Sequence, residues 1–287
     1  MSIKQKAYAK INLGLDVTGK RSDGYHMVKM VMQTIDLCDE LEFTINNSGK
    51  IAISTASRKI PCDEHNLIWK VCNLIKDKYG ISEGVNIELK KNIPVAAGMA
   101  GGSADAAAAF RGMNELFGLN MSVEEMREMS VKLGADIPFC ISGGTVLCEG
   151  IGEELTKLRE MPKCFILIAK PAIAVSTPWV YSELDKSGDY SHPDIDGMCK
   201  DIAEENLNGI VSKLGNVLEM VTVKKFTVID EIKKMMTDNG AIGSMMSGSG
   251  PTVFGIFTDA KKFNDAYDEI KKAGIAPELF KSQPVQP

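Results

Sequence analysis

The segment Pro94-Val-Ala-Ala-Gly-Met-Ala-Gly-Gly-Ser-Ala-Asp105 joins a stretch of alternating hydrophobicity, residues 85–93, to an alanine-rich stretch that ends near residue 117. The alternation predicts a strand and the alanines predict a helix. Glycines let the backbone adopt positive φ and let a ligand approach the chain closely. Free N–H groups and the dipole at the start of the helix favour an anion. The segment therefore predicts a phosphate-binding loop, and the simpler alternative is a turn with Ser103 as N-cap.

On both sides of this loop, strand-like and helix-like stretches are mixed without strict alternation. The predicted strands are residues 11–17, 27–45, 85–93, 145–148, 164–169 and 252–258, with a short one near the C-terminus. The predicted helices are residues 66–79, 103–117, 123–133 and 260–273, with a largely helical region from 177 to 239. This mixture favours an α+β fold over a doubly wound parallel sheet. We place a boundary between residues 150 and 163, which gives two domains, 1–155 and 156–287.

The net charge limits the classes of partner. The chain has 287 residues, 25% of them charged, and a formal charge of −5. A nucleic-acid or anionic-membrane binder needs a basic footprint, so we expect no nucleic-acid partner and no membrane partner. A local basic pocket for a small phosphorylated ligand remains compatible with this composition.

The cysteines and the apolar stretches indicate a compartment. Seven scattered cysteines form no Cys-x-x-Cys pair, which argues against zinc and thioredoxin-like sites and favours reduced thiols. The first ten residues contain spread lysines and no apolar core, unlike a signal peptide. The longest apolar stretch, residues 164–169, is too short for a membrane span. These features predict a soluble cytoplasmic protein.

Three further features are weak when each is taken alone. Residues 246–251, Met-Ser-Gly-Ser-Gly-Pro, form a second glycine cluster ahead of a strand, where a tight turn is the usual explanation. Asp136 lies between Gly134 and Pro138, where an aspartate is usually a turn residue. Lys10 stands just ahead of the first strand, and a single lysine is usually a solvated charge.

Several common catalytic motifs are absent. Residues 14–20 have the glycine and lysine spacing of a Walker phosphate loop, but Arg21 stands where Ser or Thr is needed and no helix pattern follows. No Gly-x-Gly-x-x-Gly follows a predicted strand, and no Gly-x-Ser-x-Gly elbow occurs. Three histidines without His-x-x-x-His spacing are too few for a histidine metal site.

Taken together and in order, the lysine strand, the central glycine-rich loop and the Gly-Ser-Gly loop resemble the motifs of the GHMP small-molecule kinase superfamily. One branch matches over nearly the whole chain, the branch that phosphorylates a cytidine diphosphate methylerythritol in non-mevalonate isoprenoid synthesis. Its most discriminating segment is Asp23-Gly-Tyr-His26. The other matching segments are residues 9–13, 20–21, 35–41, 66–68, 101–105, 133–138 and 176–178.

The resemblance implies a two-domain α+β GHMP kinase fold, with the active site in the cleft between domains, and ATP and Mg²⁺ as cofactors. Lys10 and Asp136 would be the catalytic pair, with Asp136 either removing the proton of the 2-hydroxyl or acting only electrostatically. The implied substrate-binding residues are Asn12, Tyr25, His26 and Tyr181, the last three around the cytosine. The implied ATP-binding residues are Asn66, Pro94, Val95, Ala96, Ala97, Gly98, Met99, Ala100, Gly101, Gly102, Ser103 and Ala104.

The loop departs from the usual family pattern Gly-Leu-Gly-Gly-Gly-Ser-Ser. Met99 is a conservative replacement, whereas Ala100 removes one flexible joint. Ala104 removes a hydroxyl, so a contact to metal or phosphate would come from Ser103, Asp105 or water, and the metal ligands are undetermined. Two other functions stay open: a GHMP kinase for homoserine, mevalonate or a sugar, and a binding protein that has kept the fold without turnover. The oligomeric state is not readable from the sequence.

Overall fold

A computed structural model describes residues 2–188 and 190–287. The strands are β1 (Ser2–Lys20), β2 (His26–Asn46), β3 (Ile51–Thr55), β4 (Gly84–Lys90), β5 (Thr145–Glu149), β6 (Glu154–Lys157), β7 (Phe165–Lys170), β8 (Gly215–Asn216), β9 (Gly243–Met246), β10 (Val253–Phe257) and β11 (Glu278–Ser282). The helices are α1 (Leu67–Tyr79), α2 (Gly101–Phe117), α3 (Val123–Ser130), α4 (Ile137–Ser142), α5 (Thr177–Lys186), α6 (Ile195–Ala203), α7 (Leu207–Ser212), α8 (Glu219–Lys225), α9 (Val228–Asp238) and α10 (Ala260–Ala273). The mixture of sheets and helices confirms the predicted α+β class.

The chain folds into two compact units that are not continuous in sequence. Unit 1 comprises residues 1–9, 37–95 and 100–142, and unit 2 comprises residues 10–36, 96–99 and 143–287. The long strands β1 and β2 each contribute residues to both units, and so does the glycine-rich loop. The predicted division into residues 1–155 and 156–287 stays a prediction.

Unit 1 packs helices on a sheet. β4 pairs antiparallel with the second half of β2 and parallel with β3. The alanines of α2 are buried, and a Cβ at Gly112 would lie 2.5 Å from the ring of Phe43 on β2. Small side chains on α2 therefore leave room for the large apolar side chains of the sheet.

Unit 2 contains an antiparallel sheet in the order β11-β7-β10-β9. Its strands are four to six residues long, and β10 is buried along its whole length. Helices α9 and α10 pack against this sheet. In the same unit, the first half of β2 pairs with β5, β5 pairs with β6, and β1 pairs with β8 at Gly14 and Gly215.

Most predicted elements are confirmed, and the differences have local causes. Four short strands, β3, β6, β8 and β9, and the short helix α4 were not predicted, since two to six residues carry little periodicity. The helix predicted to 133 ends at Ser130, although its predicted N-cap is right: the Ser122 hydroxyl accepts from the N–H of Glu125. No described helix is both long and apolar enough to cross a bilayer. All seven cysteines are free thiols.

Candidate active site

The glycine-rich loop follows a tightly folded path into helix α2. Three of its residues lie in the left-handed region, Ala96 at φ 52°, Gly98 at φ 72° and Ala100 at φ 54°. Ala100 is the residue before the helix, and no side chain caps it. The alternative in which Ser103 is the N-cap is therefore wrong, because the helix begins two residues earlier at Gly101. The first-turn N–H groups stay available to an anion.

Gly98 joins the loop to two other segments of unit 2. Its carbonyl accepts from Nζ of Lys10 at 3.3 Å and from Oγ of Ser247 at 3.1 Å. A Cβ at Gly98 would lie 2.3 Å from the backbone oxygen of Ser247. The N–H of Lys10 also donates to the carbonyl of Met99. The Gly-Ser-Gly segment thus packs directly against the glycine-rich loop, and only a glycine fits at position 98.

Lys10 is a buried cation, not a solvated surface lysine. Its residue is 4% exposed and its Nζ donates to Oδ1 of Asn12 at 2.7 Å. Asn12 is fully buried, donates its backbone N–H to Oγ of Ser247, and donates Nδ2 to the sulfur of Met30. The predicted residues Lys10, Asn12 and Gly98 are therefore brought together in unit 2, with the ammonium held by fixed acceptors.

Two residues that support this site have no individual signal in the sequence. Ser247 belongs to a glycine cluster that on its own indicates only a turn. Asn216 lies in a region without a recognisable motif. Its Nδ2 donates to the carbonyls of Met246 and Gly248 at 2.9 and 2.8 Å, and so fixes the Gly-Ser-Gly segment.

Asn66 and Asp136 belong to unit 1. Oδ1 of Asn66 caps α1 by accepting from the N–H of Ile68, and Nδ2 donates to the carbonyl of Pro61. Asp136 is half-buried and immediately precedes α4, and its carbonyl accepts from the N–H of Cys140. The contact of Asn66 with a nucleotide and the pairing of Asp136 with Lys10 stay predictions.

A buried ion cluster lies behind the first turn of α2. Nζ of Lys91 donates to Asp39 and, at 2.7 Å, to Asp105, and all three side chains are nearly inaccessible to solvent. Asp39 also accepts from the N–H groups of Asn92 and Ile93. Burial raises the pKa of Asp105 well above its usual range, and the neighbouring Asp39 carboxylate adds to the rise. Asp105 is therefore a supporting residue of α2 that faces away from solvent.

The residues predicted to hold cytosine all lie in unit 2. Tyr25 is 60% exposed in the turn between β1 and β2. His26 stacks on Tyr181 of α5 with 4.6 Å between ring centroids and 29° between planes. Asp185, which belongs to no recognisable sequence motif, lies 2.7 Å from Nε2 of His26 and 2.6 Å from Nζ of Lys20. Lys20, and then His26, lower the pKa of the Asp185 carboxyl.

The loop offers one side chain suited to a metal ion beside phosphate. Ser103 is half-buried in the first turn of α2, and no described residue makes a hydrogen bond to its hydroxyl. Asp105 does not fit this role, since it is buried against Lys91. Hydroxyl and phosphate oxygens are ligands that Mg²⁺ accepts. Elsewhere, Asp63, Glu64 and His65 form an exposed acidic group at the surface.

Comparison with known proteins identifies the family. The family model "GHMP kinases N terminal domain" matches residues 66–144, and "GHMP kinases C terminal" matches residues 190–276. A protein of Lachnospira eligens named 4-diphosphocytidyl-2-C-methyl-D-erythritol kinase is 49% identical, over 100% of this chain and 99% of that protein. A protein of Caldicellulosiruptor saccharolyticus with the same name is also 49% identical, over 93% of this chain and 92% of that protein.

Solved structures agree with this assignment. A crystal structure of a 4-(cytidine 5'-diphospho)-2C-methyl-D-erythritol kinase is similar with a TM-score of 0.83 and 26% identity, covering 98% of this chain and 99% of that one. A homoserine kinase of Cytophaga hutchinsonii has a TM-score of 0.79 at 21% identity, over 98% of this chain and 93% of that one. The second likeness shows a shared fold.

Proposed function

The chain belongs to the GHMP kinases, and we propose that it transfers the γ-phosphoryl group of ATP to the 2-hydroxyl of 4-diphosphocytidyl-2-C-methyl-D-erythritol. The products are the 2-phosphate and ADP, in the non-mevalonate route to isoprenoids. The acceptor is the one for which the relatives at 49% identity are named.

The observation that carries the proposal is the hydrogen bond that the buried ammonium of Lys10 donates to the carbonyl of Gly98. Phosphoryl transfer requires positioning and charge neutralisation more than covalent chemistry. Here a fixed cation and a loop rich in backbone N–H groups are parts of one network. We therefore assign to Lys10 the neutralisation of charge on the phosphates, which residues 94–104 would bind.

The acceptor hydroxyl must lose a proton during the transfer, and Asp136 is the carboxylate that we assign to this step. It either accepts that proton or stabilises the developing charge through its own charge and orientation. Lys10 would orient Asp136 and stabilise the alkoxide. When bound, Mg²⁺ would neutralise the phosphates, and Ser103 is the side chain of the loop that would hold it.

The aromatic residues of unit 2 are assigned to the cytosine. Tyr25 exposes its ring, and Tyr181 supports His26 from one face. An aromatic face binds a base by stacking, while the nitrogens of histidine form directional hydrogen bonds. The free thiols fit a reducing compartment, so we assign the reaction to the cytoplasm.

The test is an ADP-release assay with ATP and Mg²⁺ and four separate acceptors. We expect turnover with 4-diphosphocytidyl-2-C-methyl-D-erythritol and none with homoserine, mevalonate or galactose. Asp136→Asn should reduce kcat by at least about 100-fold, the usual contribution of a positioned general base. Turnover with another acceptor would overturn the cytosine assignment. Full activity of Asp136→Asn would overturn the role of Asp136. No turnover by folded wild-type protein with any of the four acceptors would favour a binding protein.

A further inference from the structure

One helix supplies two contacts to the ring of His26. Nε2 of His26 lies 2.7 Å from Oδ1 of Asp185, and Oδ2 of the same carboxylate accepts from Nζ of Lys20 at 2.6 Å. Tyr181 lies one turn before Asp185 on α5 and stacks on the histidine ring. Residues four apart on a helix share a face, so α5 holds His26 by its face and by its edge.

The contact with Asp185 determines which ring nitrogen carries the proton. An ionised carboxylate has acceptors only, so Nε2 of His26 must be the donor. Lys20 favours the ionised carboxylate because its ammonium binds the second oxygen. In a neutral ring with its proton on Nε2, Nδ1 is an acceptor, and none of the residues that the structure describes donates to it.

We propose that Asp185 is a positioning residue that keeps Nδ1 of His26 an acceptor and thereby selects cytosine over uracil. Cytosine carries an amino group at C4, which donates a hydrogen bond. Uracil carries a carbonyl oxygen at the same position, and that oxygen faces an acceptor unfavourably. The inference rests on the proposed function, which places the base of the substrate beside His26.

The experiment measures the affinities of the full-length protein for CDP and UDP by titration calorimetry. Wild type should bind CDP more tightly than UDP. In Asp185→Asn the side chain can donate or accept, so the proton is no longer held on Nε2. We expect the ratio of the two affinities to fall about tenfold, the effect of roughly one hydrogen bond. The matched control is Glu183→Gln, which removes another α5 carboxylate, paired with Lys186, and should leave the ratio unchanged.

Kinetics separate this inference from the function on which it rests. With 4-diphosphocytidyl-2-C-methyl-D-erythritol as acceptor, Asp185→Asn should raise KM and leave kcat unchanged. If Asp185→Asn weakens CDP and UDP equally, or if wild type prefers UDP, the inference is wrong while turnover by wild type still supports the function. If wild type shows no turnover but the calorimetric ratio falls as expected, the function is wrong and the selection of cytosine stands. Thermal unfolding midpoints check that each variant is folded.

Discussion

Single residues in this protein carry charge in places where solvent cannot stabilise it. The Lys91 ammonium contacts two buried carboxyl groups, and its single positive charge cannot compensate two negative charges. Burial raises the pKa of Asp105, and Asp39 accepts the larger number of hydrogen bonds. The folded protein therefore favours a protonated Asp105.

This arrangement predicts a stability that depends on pH. The unfolded chain loses the Asp105 proton in the ordinary carboxyl range, whereas the folded chain keeps it to higher pH. The contribution of this group to stability is therefore complete below the ordinary pKa and is lost as the pH rises towards the raised pKa. The side chain of Asn in Asp105→Asn has no proton to lose in this range. The Tm of the variant relative to the Tm of wild type should therefore increase as the pH rises from 4 to 7.

A second variant for this measurement is Asp39→Asn. That variant leaves Lys91 with less compensation and should reduce the free energy of unfolding by about 3 kcal/mol at neutral pH, as for other broken buried pairs. Thermal unfolding of the three proteins over the pH range measures both effects. Parallel Tm profiles for wild type and Asp105→Asn would contradict the account of the cluster.

The sequence could predict the role of a residue when its partners are close in the chain, and could not when they are distant. Ser122 has a hydroxyl suited to an N-cap and is one. This role is predictable because the N–H group that it binds, that of Glu125, lies only three residues further along the chain. Ser103 has the same chemistry and is not a cap, because Ala100 adopts a left-handed conformation and the helix begins earlier. Asp185 was missed because its meaning depends on His26 and Lys20, more than 150 positions away in the chain.

Among the elements, the glycine-rich loop is held in place by close backbone approach. Gly98→Ala should displace the loop, since its Cβ would lie 2.3 Å from the Ser247 oxygen at a positive φ. We expect a loss of about 1 kcal/mol or more of stability and a KM for ATP at least about tenfold higher. Gly118→Ala is the control, since φ is also positive there but nothing lies within 4 Å. A normal KM for ATP in folded Gly98→Ala would contradict the role of this contact.

Strand β1 is longer than the sequence pattern predicts. Alternation indicated residues 11–17, whereas the strand runs from Ser2 to Lys20. Lys10, Asn12 and Asp16 are buried within it, so its inward-facing residues do not all read as apolar. Asn12 and Asp16 are the polar positions of the alternation in residues 11–17. In residues 2–9 the buried side chains are Ile3, Ala7 and Ala9, and alanine is a weak strand signal. Helix α10 buries Phe263, Ala266 and Ile270 at helical spacing, and its bounds, 260–273, were predicted without error.

The whole molecule is built from units that interleave along the chain. A boundary predicted from composition divides the sequence once, whereas β1, β2 and the glycine-rich loop each contribute to both units. Pairing between distant segments decides such a division, and sequence periodicity does not record it. The order of the motifs nevertheless identified the family, because each motif is short and local.

Shared strands predict that the two units unfold together. Trp69 of α1 lies in unit 1 and Trp179 of α5 lies in unit 2, and they are the two tryptophans of the chain. Trp69→Phe and Trp179→Phe each leave one reporter. Each variant is unfolded in urea and followed by tryptophan fluorescence and by far-ultraviolet circular dichroism. The two signals should change over the same range of urea concentration. Transitions that do not coincide would mean that the units unfold independently.

The central claim is the transfer of a phosphoryl group to one particular hydroxyl, and phosphorus NMR of the product tests it most directly. The 2-hydroxyl of the methylerythritol lies on a carbon without hydrogen, whereas its neighbours lie on carbons that carry hydrogen. We predict that the wild-type reaction with ATP yields ADP and a new phosphomonoester signal without three-bond coupling to a proton. A new signal split by a carbinol proton, or no phosphorylated product, would contradict the claim.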